Sequence, residues 1–280
     1  MKLSFTTLGC PDWSFETILS QAEALGVPAI EVRGLEGELL ADQIGAFQPG
    51  QQQTTQDRLD QHHVSINGFG TSVRFDDVQI LPQMLAEGRA AIDVCQAMRI
   101  PAIRVFGNAI PDPDQEAAVI NQVVDGLNHL CEYAKRTDVQ IWLEVHGDFN
   151  TTERILAVAE RVKHARFGVL WDIGHSDLIY GDDYHAFYRP LQQWIRHIHI
   201  KDHHRQKLAS GQNNAGEIQL CLPGEGDVPI GPITRTLIED GFDGYFSFEW
   251  EKKWHPELPE PEIAFPAYVR LMRSFDPRQI

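Results

Sequence analysis

The run VQIWLEVH at residues 139–146 contains two alternating sets of side chains. The first set is wholly apolar and consists of Val139, Ile141, Leu143 and Val145. The second set includes Trp142, Glu144 and His146. Side chains of a β-strand alternate between its two faces, so the pattern predicts a strand with one apolar face and one functional face. A buried glutamate on the second face has a high desolvation cost unless a cation or a hydrogen-bond donor satisfies it.

Similar β-rich runs recur along the whole chain, at residues 3–8, 29–33, 64–69, 102–106, 167–173, 195–201 and 244–250. Helical spacing of apolar residues separates several of them, at residues 14–25, 85–98, 117–136 and 152–162. Eight strands alternating with helices over about 250 residues are typical of a (β/α)₈ TIM barrel of the α/β class. We expect a single barrel domain over residues 1–280. A doubly wound sheet is the alternative, but it usually has fewer strands and often a GxGxxG turn, which is absent here.

The first helix and three connecting segments have distinct signals. Ser14 is expected to cap the first helix, with Asp12 as the alternative cap, and Gly26 is expected to end it. The Gln-rich residues 48–56 predict a mobile loop. The long polar segment 203–227 is the candidate for a lid or specificity loop. Residues 254–266 are rich in Pro and Glu and are expected to cross the barrel before a last helix at residues 267–274.

The charge balance excludes several classes of partner. With 24 Lys and Arg against 40 Asp and Glu, the chain of 280 residues has a formal charge of −16. Nucleic acids and anionic membranes attract clustered positive charge, so we expect neither as a partner. No apolar run approaches the roughly 20 residues of a membrane-spanning helix. The 4 cysteines are far apart and form no Cys-x-x-Cys pair, which favours reduced thiols and a cytoplasmic protein.

Alternation on four strands predicts a metal site. The side chains that point into the barrel from these strands include four ligand-type groups near one end: Glu144, Asp172, His199 and Glu249. The active sites of TIM barrels lie at the carboxyl ends of the strands, so these groups are expected to share one rim. Three carboxylates in one pocket repel one another unless a cation neutralises them. This donor set suits one divalent ion, Mn²⁺, Mg²⁺ or Co²⁺ before Zn²⁺, although each acid alone is as readily a satisfied rim residue.

Three more polar side chains point into the same interior by alternation. His146, Lys201 and Arg104 are therefore candidates for binding substrate. The alternatives are that Lys201 neutralises Asp202 or Glu225, and that Arg104 balances the charge of the acidic rim.

Two further sets of polar side chains have structural interpretations. Glu31 and Arg33 on the second strand can pair with each other. His197 lies one layer deeper than His199 and is expected to be a buried, hydrogen-bonded histidine rather than a ligand.

Seven motifs follow one another over nearly the full length: LGCPDW (8–13), EVRG (31–34), LEVHG (143–147), WDIGH (171–175), HIHIKD (197–202), PGEGD (223–227) and FEWE (248–251). With these motifs the chain resembles the sugar phosphate isomerase/epimerase group of the xylose isomerase-like TIM barrels. That family holds a single divalent metal ion with a Glu, an Asp, a His and a Glu from successive strands. The resemblance assigns the ligands to the same four residues as the alternation: Glu144, Asp172, His199 and Glu249.

The resemblance implies a metal-dependent isomerase or epimerase of carbohydrate metabolism that acts on a small keto-sugar or sugar derivative. In that chemistry the metal stabilises an enediolate, and Glu144 and Glu249 transfer the proton. The resemblance also assigns substrate contacts to His175 and Arg205. The alternatives are a histidine that packs its loop and a solvated loop arginine. Barrels of the family are commonly dimers or tetramers, so the resemblance implies a homo-oligomer.

Departures from the family pattern keep other functions open. Ketose 3-epimerases of the family have a further Glu six positions after the first ligand, where this chain has Asn150. Enolisation of a keto-sugar, a 3-keto-glycoside or an inositol derivative also leads to β-elimination, so a metal-dependent lyase or dehydratase is the main alternative. A non-catalytic sugar-binding barrel is the second alternative. The DNA-cleaving endonucleases of the superfamily need histidines at early strand ends, and Phe69 and Asn108 stand there instead.

Overall fold

A closed parallel barrel forms the centre of the computed structural model, which describes residues 1–205 and 219–276. The strands are β1 Lys2–Thr6, β2 Ala29–Val32, β3 Ser65–Arg74, β4 Ala102–Phe106, β5 Gln140–Glu144, β6 Phe167–Asp172, β7 Ile195–Ile200, β8 His203–His204, β9 Gln219–Leu220 and β10 Tyr245–Phe248. The order around the barrel is β1-β10-β7-β6-β5-β4-β3-β2. Strands β8 and β9 form a separate antiparallel pair after β7. The predicted TIM barrel is confirmed.

Nine α-helices occur in the described residues: α1 Phe15–Leu25, α2 Gln52–Gln61, α3 Leu81–Ala97, α4 Glu116–Tyr133, α5 Thr152–Ala159, α6 Ile173–Tyr180, α7 Tyr184–Leu191, α8 Ile230–Glu239 and α9 Pro261–Ser274. The predicted boundaries of α1 are confirmed. The Ser14 side chain accepts the Thr17 N–H, and Gly26 ends the helix at φ 63°. None of these helices, within residues 1–205 and 219–276, is long and apolar enough to cross a bilayer.

Two predictions about connecting segments were wrong. Residues 52–56 of the Gln-rich segment expected as a mobile loop form the first half of α2, because Thr55 and Leu59 are buried on one face of that helix. The last helix begins at Pro261 rather than near residue 267. Proline is tolerated at this first position because the first N–H groups of a helix have no partner within it. Residues 206–218 of the predicted lid lie outside the described residues.

The barrel interior differs from the core outside it. The main apolar core lies between strands and helices and includes Ile141 and Leu143 from the outward face of β5. A separate small cluster consists of Ala102, Trp142 and Leu170. Buried polar side chains from six strands complete the interior: Ser4, Glu31, Asn67, Glu144, His199 and Ser247. The interior is therefore largely polar, which is costly unless these groups satisfy one another.

The chain after β7 is fixed by one buried carboxylate. Asp202 accepts backbone N–H groups from four residues: His203, Gly224, Gly226 and Val228. A Cβ at Gly226 would lie 2.2 Å from an Asp202 oxygen, so only glycine allows this close approach. Asp202 thus holds both ends of the predicted lid segment against the barrel.

The cap of α1 gives a test of the local fold. Replacing Ser14 with Ala removes the acceptor of the Thr17 N–H, which lies 3.2 Å from Ser14 Oγ. We expect Ser14→Ala to lower the free energy of unfolding by about 1 kcal/mol and Ser14→Asp to retain it. Urea unfolding of the three proteins measures the difference. Equal losses in both variants would show that the cap does not stabilise α1.

Candidate metal centre

Four ligand-type side chains converge at the carboxyl ends of adjacent strands. Glu144 ends β5, Asp172 ends β6, His199 lies in β7, and Glu249 follows β10. One ligand atom from each lies within 4.8 Å of the other three, and all four residues are buried. Strands β5, β6, β7 and β10 are consecutive around the barrel, so side-chain alternation alone directs these groups to one place.

The imidazole of His199 is oriented by Glu31 on β2. Both carboxylate oxygens of Glu31 lie 3.0 Å from Nε2 of His199. A carboxylate only accepts, so Nε2 carries a proton, and Nδ1 is left for the cluster. Nδ1 lies 3.5 Å from Glu249 and 3.8 Å from Glu144, and it has no hydrogen-bond partner. Burial opposes a positive charge here, but Glu31 and Glu249 raise the pKa of His199 well above its usual value. The carboxylates around Nδ1 therefore favour a positive charge at this position, which a bound metal ion would supply in place of a proton.

Lys201 supplies positive charge from the opposite side of the cluster. Its ammonium group lies 3.0 Å from Asp172 and 2.7 Å from Glu249, and it also pairs with Glu251. Burial alone would lower the pKa of Lys201, but the three carboxylates raise it well above its usual value. The sequence-based alternative, a pair with Asp202 or Glu225, is wrong: in the described structure Lys201 pairs with the cluster and Glu251 instead.

Arg104 on β4 contacts Glu144, the carboxylate of the cluster that Lys201 does not pair with. Its Nε lies 2.8 Å from Glu144 Oε2, and its Nη1 donates to the Thr71 carbonyl at 3.1 Å. The guanidinium also lies 4.0 Å from the centre of the Phe106 ring. Arg104 is buried, and its ion pair balances the charge of Glu144, which was the alternative to substrate binding in the sequence analysis.

Two histidines lie beside the cluster at the mouth of the barrel. The rings of His146 and His175 have centroids 4.3 Å apart, and His146 also contacts Phe106. Burial, and then the neighbouring His146 and Lys201, hold the pKa of His175 well below its usual value, so its ring is neutral at pH 7. The buried Nδ1 of His146 has no hydrogen-bond partner. Both rings are therefore placed to contact a molecule that enters the mouth.

Arg205 is held away from these residues. It forms a bidentate pair with Asp177 at 2.6 and 2.9 Å and a further contact with Asp182 at 3.1 Å. Asp177 also lies 3.1 Å from Nε2 of His203. Within the described residues, Arg205 has no ion pair with the four-residue cluster, so the structure does not bring it to the other predicted site residues.

The sequence-based interpretation that Glu31 and Arg33 could pair with each other is wrong. Glu31 binds His197 and His199, while Arg33 donates to Ser72 Oγ at 3.1 Å. Nη1 of Arg33 is buried without a hydrogen-bond partner. The expected role of His197 as a buried, hydrogen-bonded histidine agrees with its contact to Glu31 at 2.9 Å. Alternation on β2, applied as it was on β5, would have marked Glu31 as an interior acid.

The donor set of the cluster fits a divalent cation. Asp172 Oδ1 accepts the Gly174 and His175 N–H groups, whereas Oδ2 contacts the Lys201 ammonium group at 3.0 Å. Nδ1 of His199 is buried without a hydrogen-bond partner among the described residues, which is costly unless another group binds it. Three carboxylates with one imidazole match the preferences of hard or borderline divalent ions.

The chain belongs to the xylose isomerase-like TIM barrel family, whose family model matches residues 19–272. Fructoselysine 3-epimerase of Shigella flexneri is 23% identical over 260 residues, which cover 89% of this chain and 90% of that protein. Inosose dehydratase of Geobacillus thermodenitrificans is 28% identical over 160 residues, 53% of each protein. The chain thus aligns with about half the length of that dehydratase. The curated relatives include sugar-modifying enzymes of two reaction types, an epimerase and a dehydratase.

A solved structure supports the fold over its whole length. The IolI protein with a bound zinc atom superimposes with a TM-score of 0.78 at 17% identity. The match covers 99% of this chain and 100% of that protein. At this identity the likeness concerns the barrel architecture.

The Asp177 contacts predict a pH-dependent contribution to stability. Burial raises the pKa of Asp177, but hydrogen bonds from Arg205 and His203 outweigh it and lower the pKa below its usual value. A folded-state pKa below the unfolded value means that ionised Asp177 stabilises the fold above about pH 3.9, and that this effect is lost as the pH falls through the folded-state pKa. We expect Asp177→Asn to lower the free energy of unfolding by about 1–3 kcal/mol at pH 7.

Urea unfolding at about pH 7 and about pH 3 checks this dependence, since the loss should shrink at the lower pH. Asp182→Asn is the matched control, because the Asp182 side chain is 86% exposed and its surface pair is expected to contribute little. Equal losses for Asp177→Asn at both pH values would contradict the assignment.

Proposed function

We propose that this chain is a divalent-metal-dependent enzyme that isomerises or epimerises a small keto-sugar or sugar derivative. The observation that carries the proposal is the buried cluster of Glu144, Asp172, His199 and Glu249 at the mouth of the barrel. The relatedness to fructoselysine 3-epimerase supports a carbohydrate substrate. An ion held by these four residues would polarise a substrate carbonyl group as a Lewis acid.

Two glutamates of the cluster are placed to move a proton. Glu144 and Glu249 both lie close to His199 Nδ1, at 3.8 and 3.5 Å. Burial opposes the charge on Glu249, but Lys201 and His199 hold its pKa well below the usual value, so its carboxylate is ionised. We infer that one glutamate removes the proton next to the carbonyl and that the other returns it.

Side chains around the cluster supply contacts for the rest of the substrate. His146 and His175 form one wall of the mouth, and Lys201 and Arg104 place positive charge beside the carboxylates. Arg33 adds a buried donor, because its Nη1 has no partner. We assign these five residues to substrate binding and assign Arg205 to the structural contact with Asp177.

A dehydratase that acts by β-elimination is the second candidate. Such a reaction needs a proton donor for the departing hydroxyl group in addition to the base. The tilted rings of His146 and His175, with centroids 4.3 Å apart, offer N–H donors at the mouth, and Asn150 stands where 3-epimerases of the family have a glutamate. The relatedness to inosose dehydratase over 160 residues also supports this reaction type.

Asp172→Asn tests the metal site with little change to the fold. The amide keeps an oxygen that can accept the Gly174 and His175 N–H groups, but it removes the charge at Oδ2. We expect the affinity for Mn²⁺ to fall by about 100-fold or more, since a loss in the ligand shell exceeds the 10–100-fold cost of changes outside it. Calorimetric titration of the chelator-treated protein measures this affinity. Asp177→Asn is the matched control, and it should bind Mn²⁺ like the unchanged protein.

Solvent exchange tests the reaction. Incubation with a panel of keto-sugars and keto-inositols in D₂O should introduce deuterium next to the carbonyl of a substrate, and EDTA should abolish it. We expect Glu144→Gln and Glu249→Gln each to slow this exchange by about 10²–10⁴-fold. Mass spectrometry separates the two candidates, because an epimerase or isomerase conserves the mass and a dehydratase product is lighter by one water. Exchange that persists in EDTA would contradict the metal-dependent mechanism.

A further inference from the structure

A second buried group of acid and histidines lies directly behind the cluster. Glu31, His197 and His199 have ligand-type atoms close together, and all three residues are buried. Glu31 Oε2 lies 2.9 Å from His197 Nε2, and both Glu31 oxygens lie 3.0 Å from His199 Nε2. One carboxylate therefore accepts hydrogen bonds from two imidazoles.

Neighbouring side chains restrict the position of Glu31. It projects from β2 to β7, which are separated by β1 and β10 in the barrel order. His197 is stacked on Trp142 with centroids 4.9 Å apart and an interplanar angle of 16°. A Cβ at Gly68 would lie 3.3 Å from Trp142 and 3.6 Å from Glu31 Cγ, so the glycine leaves room for both. The carboxylate is thus packed as well as hydrogen-bonded.

We propose that Glu31 is a positioning residue that fixes the ring orientation and tautomer of His199, so that Nδ1 of His199 faces Glu144, Asp172 and Glu249. This inference rests on the proposed metal site and extends it to a residue that makes no contact with the substrate. A carboxylate behind a ligating histidine keeps the proton on the far nitrogen and raises the basicity of the near one. His197 holds Glu31 in place through the second hydrogen bond.

Geometry favours this role over a second metal site. The nitrogen–oxygen distances of 2.9–3.0 Å within the group are those of hydrogen bonds, and each histidine donates through Nε2. A metal between these atoms would take the place of both hydrogen bonds. Metal stoichiometry distinguishes the two interpretations, because the positioning role predicts one ion per chain.

Two substitutions of Glu31 distinguish its orientation of the His199 ring from the effect of its negative charge. Glu31→Gln keeps the size of the side chain but replaces one acceptor with an NH₂ group, which cannot accept from either imidazole. Glu31→Asp keeps the charge but is one methylene too short for the contact with His199. We expect both variants to weaken Mn²⁺ binding by about 10–100-fold in calorimetric titration of the full chain, with one ion per chain retained. In the Co²⁺-loaded protein, both should also change the visible absorption, because the ring of His199 is no longer fixed.

Glu251→Gln is the matched charge control. It removes a carboxylate that pairs with Lys201 but contacts no histidine of the group. Loss of Glu251 also leaves Lys201 freer to compete for Asp172 and Glu249, so any weakening in this variant is an upper limit for a pure charge effect. We expect it to stay below about threefold, well under the 10–100-fold effect expected at Glu31.

Different results of these titrations would contradict the proposed metal site and the positioning role of Glu31. No Mn²⁺ binding by the unchanged protein would overturn the metal site itself. Normal binding by the unchanged protein and by Glu31→Asp would leave the metal site intact and overturn the role of Glu31. Two ions per chain, with one lost in Glu31→Gln, would make Glu31 a ligand and also overturn it. Thermal melting of each variant confirms that a change in binding does not come from unfolding.

Discussion

Electrostatic repulsion among three buried carboxylates is the constraint on which the arrangement of the site depends. Glu144, Asp172 and Glu249 share one small volume from which water is largely excluded. Like charges at such distances are tolerated only when positive charge is close. Lys201 lies between Asp172 and Glu249, and Arg104 lies beside Glu144. The free nitrogen of His199 completes a group that a divalent cation would neutralise.

The same residues connect the site to the fold. Asp172 uses one oxygen to cap α6 and leaves the other for the cluster. Glu31 crosses the barrel from β2 and ties the early strands to the histidines of β7. Trp142 stacks on the ring of His197, so this pair of polar groups, Glu31 and His197, packs against an aromatic side chain. A change in the position of any of these side chains would therefore alter both the packing of the interior and the geometry of the ligand atoms.

The fold and the cluster were accessible from the sequence for one physical reason. Alternation along β5, β6, β7 and β10 is a local property, and the closed barrel turns it into convergence at one mouth. Side-chain contacts that depend on distances across the barrel could not be predicted in this way. Glu31 reaches β7 rather than Arg33, and Arg205 turns to Asp177 on α6. The glutamines of residues 48–56 also gave a wrong prediction, because burial of Thr55 and of Leu59 further along the chain stabilises α2.

Anomalous diffraction from crystals grown with Mn²⁺ shows whether the four-residue cluster binds a metal ion. We expect one strong peak per chain, in contact with Nδ1 of His199 and with oxygens of Glu144, Asp172 and Glu249. Lys201 should then be drawn away from Asp172 and remain paired with Glu251. No peak at this position in fully loaded crystals, or a peak elsewhere in the molecule, would show that the cluster is not the metal site.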